Sequence, residues 1–207
     1  MMMRQIRLTL PILLLMLSGC SLVPNQASTQ VEISPNTFVT LPKPAQLGYQ
    51  VTASQLISAR WQDDSGQHNQ QLPVQLQVTD DKIVLAGFSS WGTRILSLNY
   101  QQDTIETSVL NGLENTLPKP EQILFNLMIT LWPRNAWEAP LNKVKWQIID
   151  DDNRRTLINE LGETVIVIDY QHPFAMKGDI RFHNQLLNYT ITIKTLSAQH
   201  PLPPTQP

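Results

Sequence analysis

Apolar and polar residues alternate with a period of two along much of this chain, and this alternation limits its fold more than any other feature. In QLPVQLQVT (71–79) every second residue is apolar, and the residues between them are mostly glutamine. The pattern recurs in NYTITIKTL (188–196) and in VKWQI (144–148). Because successive side chains of a β-strand point to opposite faces, each run predicts a strand with one buried face.

Turn sequences such as Asp64-Ser65-Gly66 and Asn111-Gly112 separate these runs. We therefore predict about nine or ten strands, mostly joined as hairpins in an antiparallel arrangement. Strands with one apolar and one polar face suit a sheet that curves around a core. The predicted fold is mainly β, with a curved antiparallel sheet that forms a half-open barrel.

One segment breaks the alternation, PKPEQILFNLMITLW (118–132). Pro120 and Glu121 suit a helix start, and Pro133 suits its end. At about 100° per residue, apolar side chains cover more than half of the circumference. The polar residues form a narrow stripe: Gln122, Asn126 and Thr130. We expect this helix in or over the concave face of the sheet, either as a plain core helix or as the lining of a lipid cavity.

The chain begins with a basic segment that carries Arg4 and Arg7, followed by the apolar run LTLPILLLML (8–17). This run has the length of a signal-peptide core and is too short to span a bilayer. The single cysteine of the 207 residues, Cys20, follows it within LSGCSL (17–22).

The stretch Leu17-Ser18-Gly19-Cys20 resembles the lipobox of bacterial lipoproteins. The resemblance implies cleavage before Cys20 and acylation of that cysteine, which anchors a domain to a membrane. Ser21 stands where an aspartate would retain a lipoprotein in the inner membrane. The resemblance therefore implies the periplasmic face of the outer membrane of a Gram-negative bacterium. An ordinary secretory signal with an incidental cysteine is the alternative.

Prolines cluster in a polar stretch near the start of the chain and again at its end, and they mark the expected boundaries. We expect a signal peptide at 1–19 and an acylated N-terminus with a flexible tether at 20–46. A barrel domain at 47–196 and a disordered Pro-rich tail at 197–207 follow. Removing 19 of the 207 residues leaves 188, enough for a single domain with its own core.

Loss of the two signal arginines lowers the formal net charge from −2 to −4. A mildly acidic chain without a basic block offers no electrostatic footprint for nucleic acid. Nothing after Cys20 has the length and apolar character of a membrane span. A core of this size needs no disulfide.

The four histidines are scattered without HxxxH or HExxH spacing, so no metal site is predicted. No GxSxG motif or phosphate-binding glycine loop occurs. The acidic run at 150–152 and the two arginines at 154–155 are interpreted as a solvated turn with weak surface pairing. We predict no enzyme and no cofactor. A cleft that gathers His183, Asp169 and a hydroxyl would change that interpretation.

The sequence IVLAGFSSWGTRILSL (83–98) is typical of a strand, a short tip and a second strand. In this stretch the chain resembles the LolA/LolB superfamily, lipoprotein carriers built as half-open antiparallel barrels lidded by helices. The LolB hairpin has a protruding leucine before a glycine, and Trp91 and Gly92 stand at the matching positions. The resemblance implies that Trp91 touches a membrane. A tip that folds back onto a neighbouring helix is the alternative.

Three stretches together are similar to a lipoprotein family of Gram-negative bacteria: GFSSWGTR (87–94), LFNLMITLWP (124–133) and NYTITIKTL (188–196). The similarity spans most of 48–196. Members of that family often lie in aryl-polyene and lipid gene clusters, beside LolA-like proteins.

These resemblances imply a monomeric outer-membrane lipoprotein that binds an acyl chain, a polyene or a lipoprotein anchor, with a LolA-like carrier or an exporter as partner. The predicted cavity lining is Leu124, Leu127, Met128, Leu131 and Trp132 from the helix, with Trp146, Ile166 and Ile191 from the sheet. A second contact loop, HPFAMKG (172–178), carries Phe174 and Met176, for which core packing is the alternative. A scaffold lipoprotein with a filled core is the alternative function.

Overall fold

The computed structural model describes residues 29–113 and 117–199. Within these ranges the chain forms twelve β-strands, two α-helices and two short 3-10 helices. The strands are β1 Gln30–Ser34, β2 Thr37–Thr40, β3 Val51–Asp63, β4 Gly66–Val78, β5 Lys82–Phe88, β6 Arg94–Gln101, β7 Thr104–Val109, β8 Gln147–Asp151, β9 Arg154–Ile158, β10 Thr164–Tyr170, β11 Ile180–Asn184 and β12 Tyr189–Gln199. The α-helices are α1 Pro120–Leu131 and α2 Arg134–Lys143, and the 3-10 helices are Pro44–Leu47 and Ala175–Lys177.

Ten of the described strands form one antiparallel sheet, here called the large sheet, and β1 pairs with β2 in a separate hairpin. The order of the large sheet is β7-β6-β5-β4-β3-β12-β11-β10-β9-β8. It consists of two meanders that join where β3 pairs with β12. The edge strands β7 and β8 do not pair with each other, so the sheet is open. The prediction of a mainly β, antiparallel, half-open fold is confirmed.

The large sheet wraps around α1. Ten flat strands would be about 43 Å wide at about 4.8 Å per strand, whereas the twelve residues of α1 are about 18 Å long. Even so, α1 contacts β7 at one edge of the sheet and bonds to Arg155 of β9 beside the other edge. A helix of this length reaches both sides only if the sheet curves, so α1 lies in the concave face as predicted.

Residues 29–46, assigned from the sequence to a flexible tether, are folded against the core. In β1 and β2, buried and exposed residues alternate, and the buried ones are Val31, Ile33 and Val39. After the hairpin, the carbonyl of Lys43 accepts a hydrogen bond from Trp132 Nε1 at 3.0 Å. The tether prediction is therefore wrong from residue 29 onward, because a short, polar-looking hairpin buries every second side chain.

The other end of the predicted domain also extends further, since β12 continues to Gln199 within the stretch expected as a tail. The lipobox with Cys20, residues 20–28 of the expected tether and residues 200–207 of the expected tail lie outside the described residues.

The C-terminal end of α1 is buried, and its last carbonyl groups bond to the large sheet through Arg155. This arginine is 6% exposed, and its Nη1 donates to the carbonyl oxygens of Ile129 and Trp132, each at 2.7 Å. Its Nε and Nη2 donate to the Asp150 carboxylate at 2.7 and 2.8 Å. The last carbonyls of a helix have no partner within the helix. Arg155 therefore supplies the partners that allow this end to be buried.

The polar stripe of α1 faces the sheet. All twelve residues of α1 are buried or half-buried. Asn126 Oδ1 accepts hydrogen bonds from Tyr189 Oη at 2.9 Å and from Gln122 Nε2 at 3.2 Å. The backbone carbonyl of Thr130 accepts a bond from Tyr170 Oη at 2.8 Å. The stripe thus positions α1 on β10 and β12, because each buried polar group meets a specific partner.

The second helix, α2, was not predicted. Helix α1 does end just before Pro133, as predicted, but the same proline also precedes the first turn of α2. The run VKWQI (144–148) had suggested a strand. Proline is tolerated at a helix start because the first amides have no intrahelical partner. Trp137 of α2 donates from Nε1 to the carbonyl of Met128 at 3.2 Å. The strand β8 then begins only after Trp146.

We predict that Arg155→Met lowers the free energy of unfolding by about 2–4 kcal/mol, because it leaves two buried carbonyls without partners and Asp150 without its counter-charge. The matched control is Arg154→Met. Arg154 is exposed and pairs with Asp169 at the surface, so its loss should cost less than about 1 kcal/mol. Urea denaturation of residues 21–207 measures both. Equal losses for the two variants would contradict the role assigned to Arg155.

Candidate functional site

The register of the large sheet brings several turns together at one end, which we call the mouth. The mouth consists of the β5–β6 turn (89–93), the β9–β10 turn (159–163), the β11–β12 turn (185–188) and the end of β7. Tyr189, at the start of β12, bonds to the middle of α1, whereas Arg155 and Tyr170 bond to its end. Helix α1 therefore runs from the mouth towards the opposite end of the sheet.

Below the polar inward-facing residues Gln70 and His68 at the rim, several inward-facing residues near the mouth are apolar but only half-buried. They come from three neighbouring strands and from the start of α1: Ile57, Leu72, Ile191 and Ile123. Farther from the mouth, inward residues of the same strands such as Ala53 and Leu76 are fully buried. Leu72 lies over Gly87, where a Cβ atom would come within 2.9 Å of its Cδ2. The open end of the half-barrel thus has an apolar inner surface that solvent reaches.

Trp91 stands at the tip of the β5–β6 turn with 92% of its surface exposed. Ser89 stabilises the backbone of the tip, since its Oγ accepts hydrogen bonds from the amides of Trp91 and Thr93 at 3.3 and 3.1 Å. Gly92 has a φ of +80°, a left-handed conformation that glycine adopts without strain. The indole therefore projects from the mouth and does not fold back onto a helix.

The predicted cavity residues lie mainly in the packed core. Those with the smallest exposed fraction are Leu124, Met128, Trp132, Trp146 and Ile166. Leu127 and Leu131 are also buried, whereas Ile191 is half-buried at the mouth. The structure thus brings the predicted residues into one apolar cluster. Of this set, the half-buried residue Ile191 reaches the open surface of the mouth.

The loop HPFAMKG (172–178) divides between core and surface. Met176 is buried, and its Sδ lies 3.8 Å from Gln55 Nε2 as a weak acceptor. Of the two interpretations given for Met176, contact loop and core packing, the structure shows core packing beneath the loop, so Met176 is no contact residue. Phe174 is half-buried and packs against Tyr49, with ring centroids 5.8 Å apart.

A pocket of about 260 Å³ lies at the end of the sheet opposite the mouth. Leu131, Trp132 and Phe174 form its apolar wall, and Arg155 and Tyr170 contribute polar groups. Most predicted site residues stay in the packed core, and the others reach one of two open surfaces at opposite ends of the sheet. Trp91 and Ile191 belong to the mouth, while Leu131, Trp132 and Phe174 line this second pocket.

Burial raises the pKa of the tyrosines that bond to α1 and of Tyr100, whose hydroxyl donates to the carbonyl of Pro42 at 3.3 Å. It raises the pKa of Tyr170 to about 12 and, chiefly through the same cause, the pKa of Tyr100 to about 12. It also raises the pKa of Tyr189. A phenolate is disfavoured where water is excluded, so these hydroxyls stay protonated and keep donating their hydrogen bonds.

The residues that would have suggested catalysis do not form a relay. Asp169 accepts a hydrogen bond from Arg154 Nε at 2.6 Å, and His183 Nδ1 lies 2.9 Å from Thr190 Oγ1. Within the two described ranges, no three side chains of His, Cys, Asp or Glu come together as they would around a metal ion. No helix in the described part of the chain combines the length and apolar character needed to cross a bilayer.

Sequence reasoning missed two polar clusters. Arg155 was taken for a surface residue, although alternation in RRTLI (154–158) places it on the same face as buried Leu157. His68 was considered only as one of four scattered histidines, but it lies in β4 and stacks on Trp61 with ring centroids 4.9 Å apart. Its Nε2 is 2.9 Å from Asp63 Oδ1. The period-two pattern of each strand indicates the inward direction of both side chains. They were missed because charged and polar residues were assumed to be solvated.

A family model with the description "Protein of unknown function (DUF3261)" matches residues 52–197. The match therefore runs from β3 through most of β12 and includes both helices. No curated protein matches the sequence.

Three solved structures are similar to the chain at low sequence identity. A domain described as an outer membrane lipoprotein-sorting protein, from Vibrio parahaemolyticus, is 5% identical over 73% of this chain and 85% of that chain, with a TM-score of 0.35. A LolA superfamily protein from Nitrosomonas europaea is 6% identical over 80% and 96%, with a TM-score of 0.42. A DUF1329 family protein from Desulfovibrio piger is 5% identical over 79% and 95%, with a TM-score of 0.35. None of the three reaches 0.5, so the function is inferred from the geometry of the chain itself.

The buried tyrosines predict a loss of stability in alkali. An unfolded tyrosine ionises near its ordinary pKa of about 10, whereas folded Tyr170 and Tyr100 ionise at about 12. The contribution of these two tyrosines to the free energy of unfolding is therefore complete below pH 10. It is lost as the pH rises to 12, by at most about 1.4 kcal/mol per pH unit for each tyrosine. Urea denaturation at pH 8 to 11 should show a shallower decline for Tyr170→Phe than for the parent. An unchanged slope would contradict the assignment.

Proposed function

The chain belongs to the DUF3261 family, and we propose that it is an envelope lipoprotein that holds a hydrophobic ligand in its half-barrel and hands it to the outer membrane. The proposed ligand is an acyl chain, a polyene or the acyl anchor of a lipoprotein. Transfer involves no covalent step, so the chain needs a surface that binds and releases the ligand.

The observation that carries this proposal is the half-buried apolar inner surface of the mouth. Ile57, Leu72 and Ile191 point into the half-barrel, yet solvent reaches them. Concave apolar surfaces of this kind are the usual binding places for hydrophobic ligands. Each Å² of apolar surface that a ligand covers contributes roughly 25 cal/mol. A bilayer offers the ligand a similarly apolar environment, so binding here remains compatible with release.

Trp91 is the proposed point of delivery. The indole ring is apolar with one polar N–H, and tryptophan favours the boundary between water and lipid. Its tip stands at the mouth, beside the surface on which the ligand would lie. Contact of Trp91 with the membrane would therefore bring the mouth close to the bilayer.

The anchor and the partners of this proposal come from the resemblances described for the sequence. The lipobox ending in Cys20 supports acylation and the outer membrane, with Ser21 as the sorting residue. The similarity to lipoproteins of aryl-polyene gene clusters supports a polyene or acyl ligand. The proposed source of the ligand is a LolA-like periplasmic carrier or an exporter, and the chain acts as a monomer.

A scaffold lipoprotein is the second candidate, and the filled core favours it. Most of the residues first expected to line a cavity are packed and fully buried, among them Met128, Trp146 and Ile166. A chain whose core is full along α1 would hold partners at the membrane through its outer surface. Ligand binding at the mouth discriminates between the two functions.

Residues 21–207, purified from the periplasm without detergent and delipidated, should take up a fluorescent fatty acid saturably. Ile57→Asn should weaken this uptake about tenfold or more, because it replaces part of the apolar inner surface by an amide. Leu56→Asn is the matched control, since Leu56 is the next residue of β3, is also half-buried, and faces the outside of the sheet. Thermal denaturation verifies that both variants are folded.

Native mass spectrometry of the same preparation before delipidation would identify a bound acyl or polyene species. An apo mass without saturable uptake, together with stable binding of a periplasmic partner, would reject the carrier and leave the scaffold.

The proposed anchor predicts that Cys20→Ser moves the chain from the outer-membrane fraction to the soluble periplasmic fraction. The serine variant keeps every described element, since these begin at residue 29, but it has no thiol to acylate. Membrane fractionation and the mass of the N-terminal peptide measure the change. A serine variant that remains in the membrane fraction with unchanged peptide mass would contradict acylation of Cys20.

A further inference from the structure

Exposed large hydrophobic residues concentrate at the mouth. Among the described residues, those on mouth turns or at the end of β7 are Trp91, Leu110, Leu161, Leu186 and Leu187. Those elsewhere are Phe38, Ile149 and Leu196. Leu161 is 74% exposed at the tip of the β9–β10 turn, and Leu186 and Leu187 form the tip of the β11–β12 turn. These two turns carry apolar tips to which neither the sequence nor the proposed function assigns a role.

Asparagine side chains accept hydrogen bonds from several backbone amides of these two turns. Asn159 Oδ1 accepts hydrogen bonds from the amides of Leu161 and Glu163 at 3.0 and 2.9 Å. Asn184 Oδ1 accepts the amide of Leu187 at 2.8 Å. An amide without a partner is costly to move out of water. Tips with paired amides can therefore enter an apolar environment at a lower cost than ordinary loops.

The charged side chains beside Leu161 are also paired. Glu160 Oε2 accepts a hydrogen bond from Trp146 Nε1 at 2.9 Å, and Glu163 Oε2 accepts one from Asn159 Nδ2 at 2.8 Å. Leu161 thus lies between two exposed glutamates whose carboxylates are each hydrogen-bonded to a protein group.

The mouth turns together with the β3–β4 turn between them are acidic. They carry Asp64, Glu160 and Glu163 and contain no lysine or arginine, while Asp63 and Arg94 stand at the adjoining strand ends. Such a surface is repelled by anionic lipid and has no electrostatic gain from it. Its attraction to a membrane must come from the apolar tips, which favours lipids without net charge.

We propose that Leu161, Leu186 and Leu187 form a second membrane contact that, opposite Trp91, seats the mouth on a bilayer of zwitterionic lipid. This inference rests on the proposed function and deepens it, because it names the surface against which the mouth opens. Trp91 lies on the β7–β3 meander and the leucines lie on the β12–β8 meander. The two contacts therefore bracket the open end from both halves of the sheet.

The length of chain before the first described residue is compatible with this orientation. Thr29 bonds to Leu41 close to Trp132, at the end of the sheet opposite the mouth. From Ile83 to Trp91 the β5 side of the sheet measures about 27 Å at about 3.3 Å per residue. Nine residues from Cys20 to Thr29 span at most about 30 Å. An anchor at Cys20 and the mouth can therefore meet one bilayer.

The test is flotation of residues 21–207, which include every described element and lack the acyl group, with phosphatidylcholine vesicles. Leu161→Ser combined with Leu187→Ser should weaken partitioning by about a hundredfold, about tenfold for each leucine withdrawn from lipid. The matched control combines Ile149→Ser with Leu196→Ser, two exposed apolar residues that lie within strands of the large sheet and on no mouth turn, and should partition like the parent. Replacing part of the phosphatidylcholine by phosphatidylglycerol should weaken binding of the parent.

Three results would overturn the inference: no partitioning of the parent, equal partitioning of the Leu161/Leu187 variant, or stronger binding to phosphatidylglycerol vesicles. Sedimentation at the same concentrations addresses a second copy as the occupant, and a dimer that is lost in this variant would also overturn it. Fatty-acid uptake by the same variant should remain as in the parent. If uptake fails in every variant while flotation behaves as expected, the ligand proposal fails and the membrane contact stands.

Discussion

The bond between Arg155 and the last carbonyls of α1 is the constraint on which the other features depend. A helix buried on all sides must satisfy its terminal carbonyls within the protein, since water does not reach them. Arg155 does this from β9 while Asp150 balances its charge. The helix end is thereby fixed beside one edge of the sheet while the helix also contacts β7 at the other edge. This attachment and the contact with β7 together hold the helix inside the curved sheet.

The sequence predicted the parts of the fold that are encoded locally. Strands such as β4 and β12 alternate over many residues, and the pattern survives because one face of each strand is buried and the other is solvated. Helix α1 was recognised from its apolar circumference, and its bounds differ from the expected ones by two residues or fewer. The tip that carries Trp91 was located by a glycine between two such strands.

What the sequence did not reveal depends on contacts between distant residues. Val31 and Val39 lie in short strands that prolines and polar residues surround, so their burial becomes visible only when α1 and α2 cover them. Arg155 has the appearance of a surface residue until its carbonyl partners are known. The difference between a filled core and an open mouth depends on where α1 begins and ends over the sheet. The periodicity of a strand gives the direction of Ile57 but not what covers it.

The pairing of β3 with β12 also affects how fast the sheet can fold. These strands lie near opposite ends of the described chain, and partners such as Ile57 and Ile193 stand in the middle of the large sheet. Each meander can form from neighbouring hairpins, but β3 keeps an unpaired edge until the last strand arrives. Closing so long a loop is slow, and an open strand edge invites pairing with other chains. The last described strand, β12, therefore completes the centre of the sheet. Truncation that removes β12 would divide the sheet in two rather than shorten its margin.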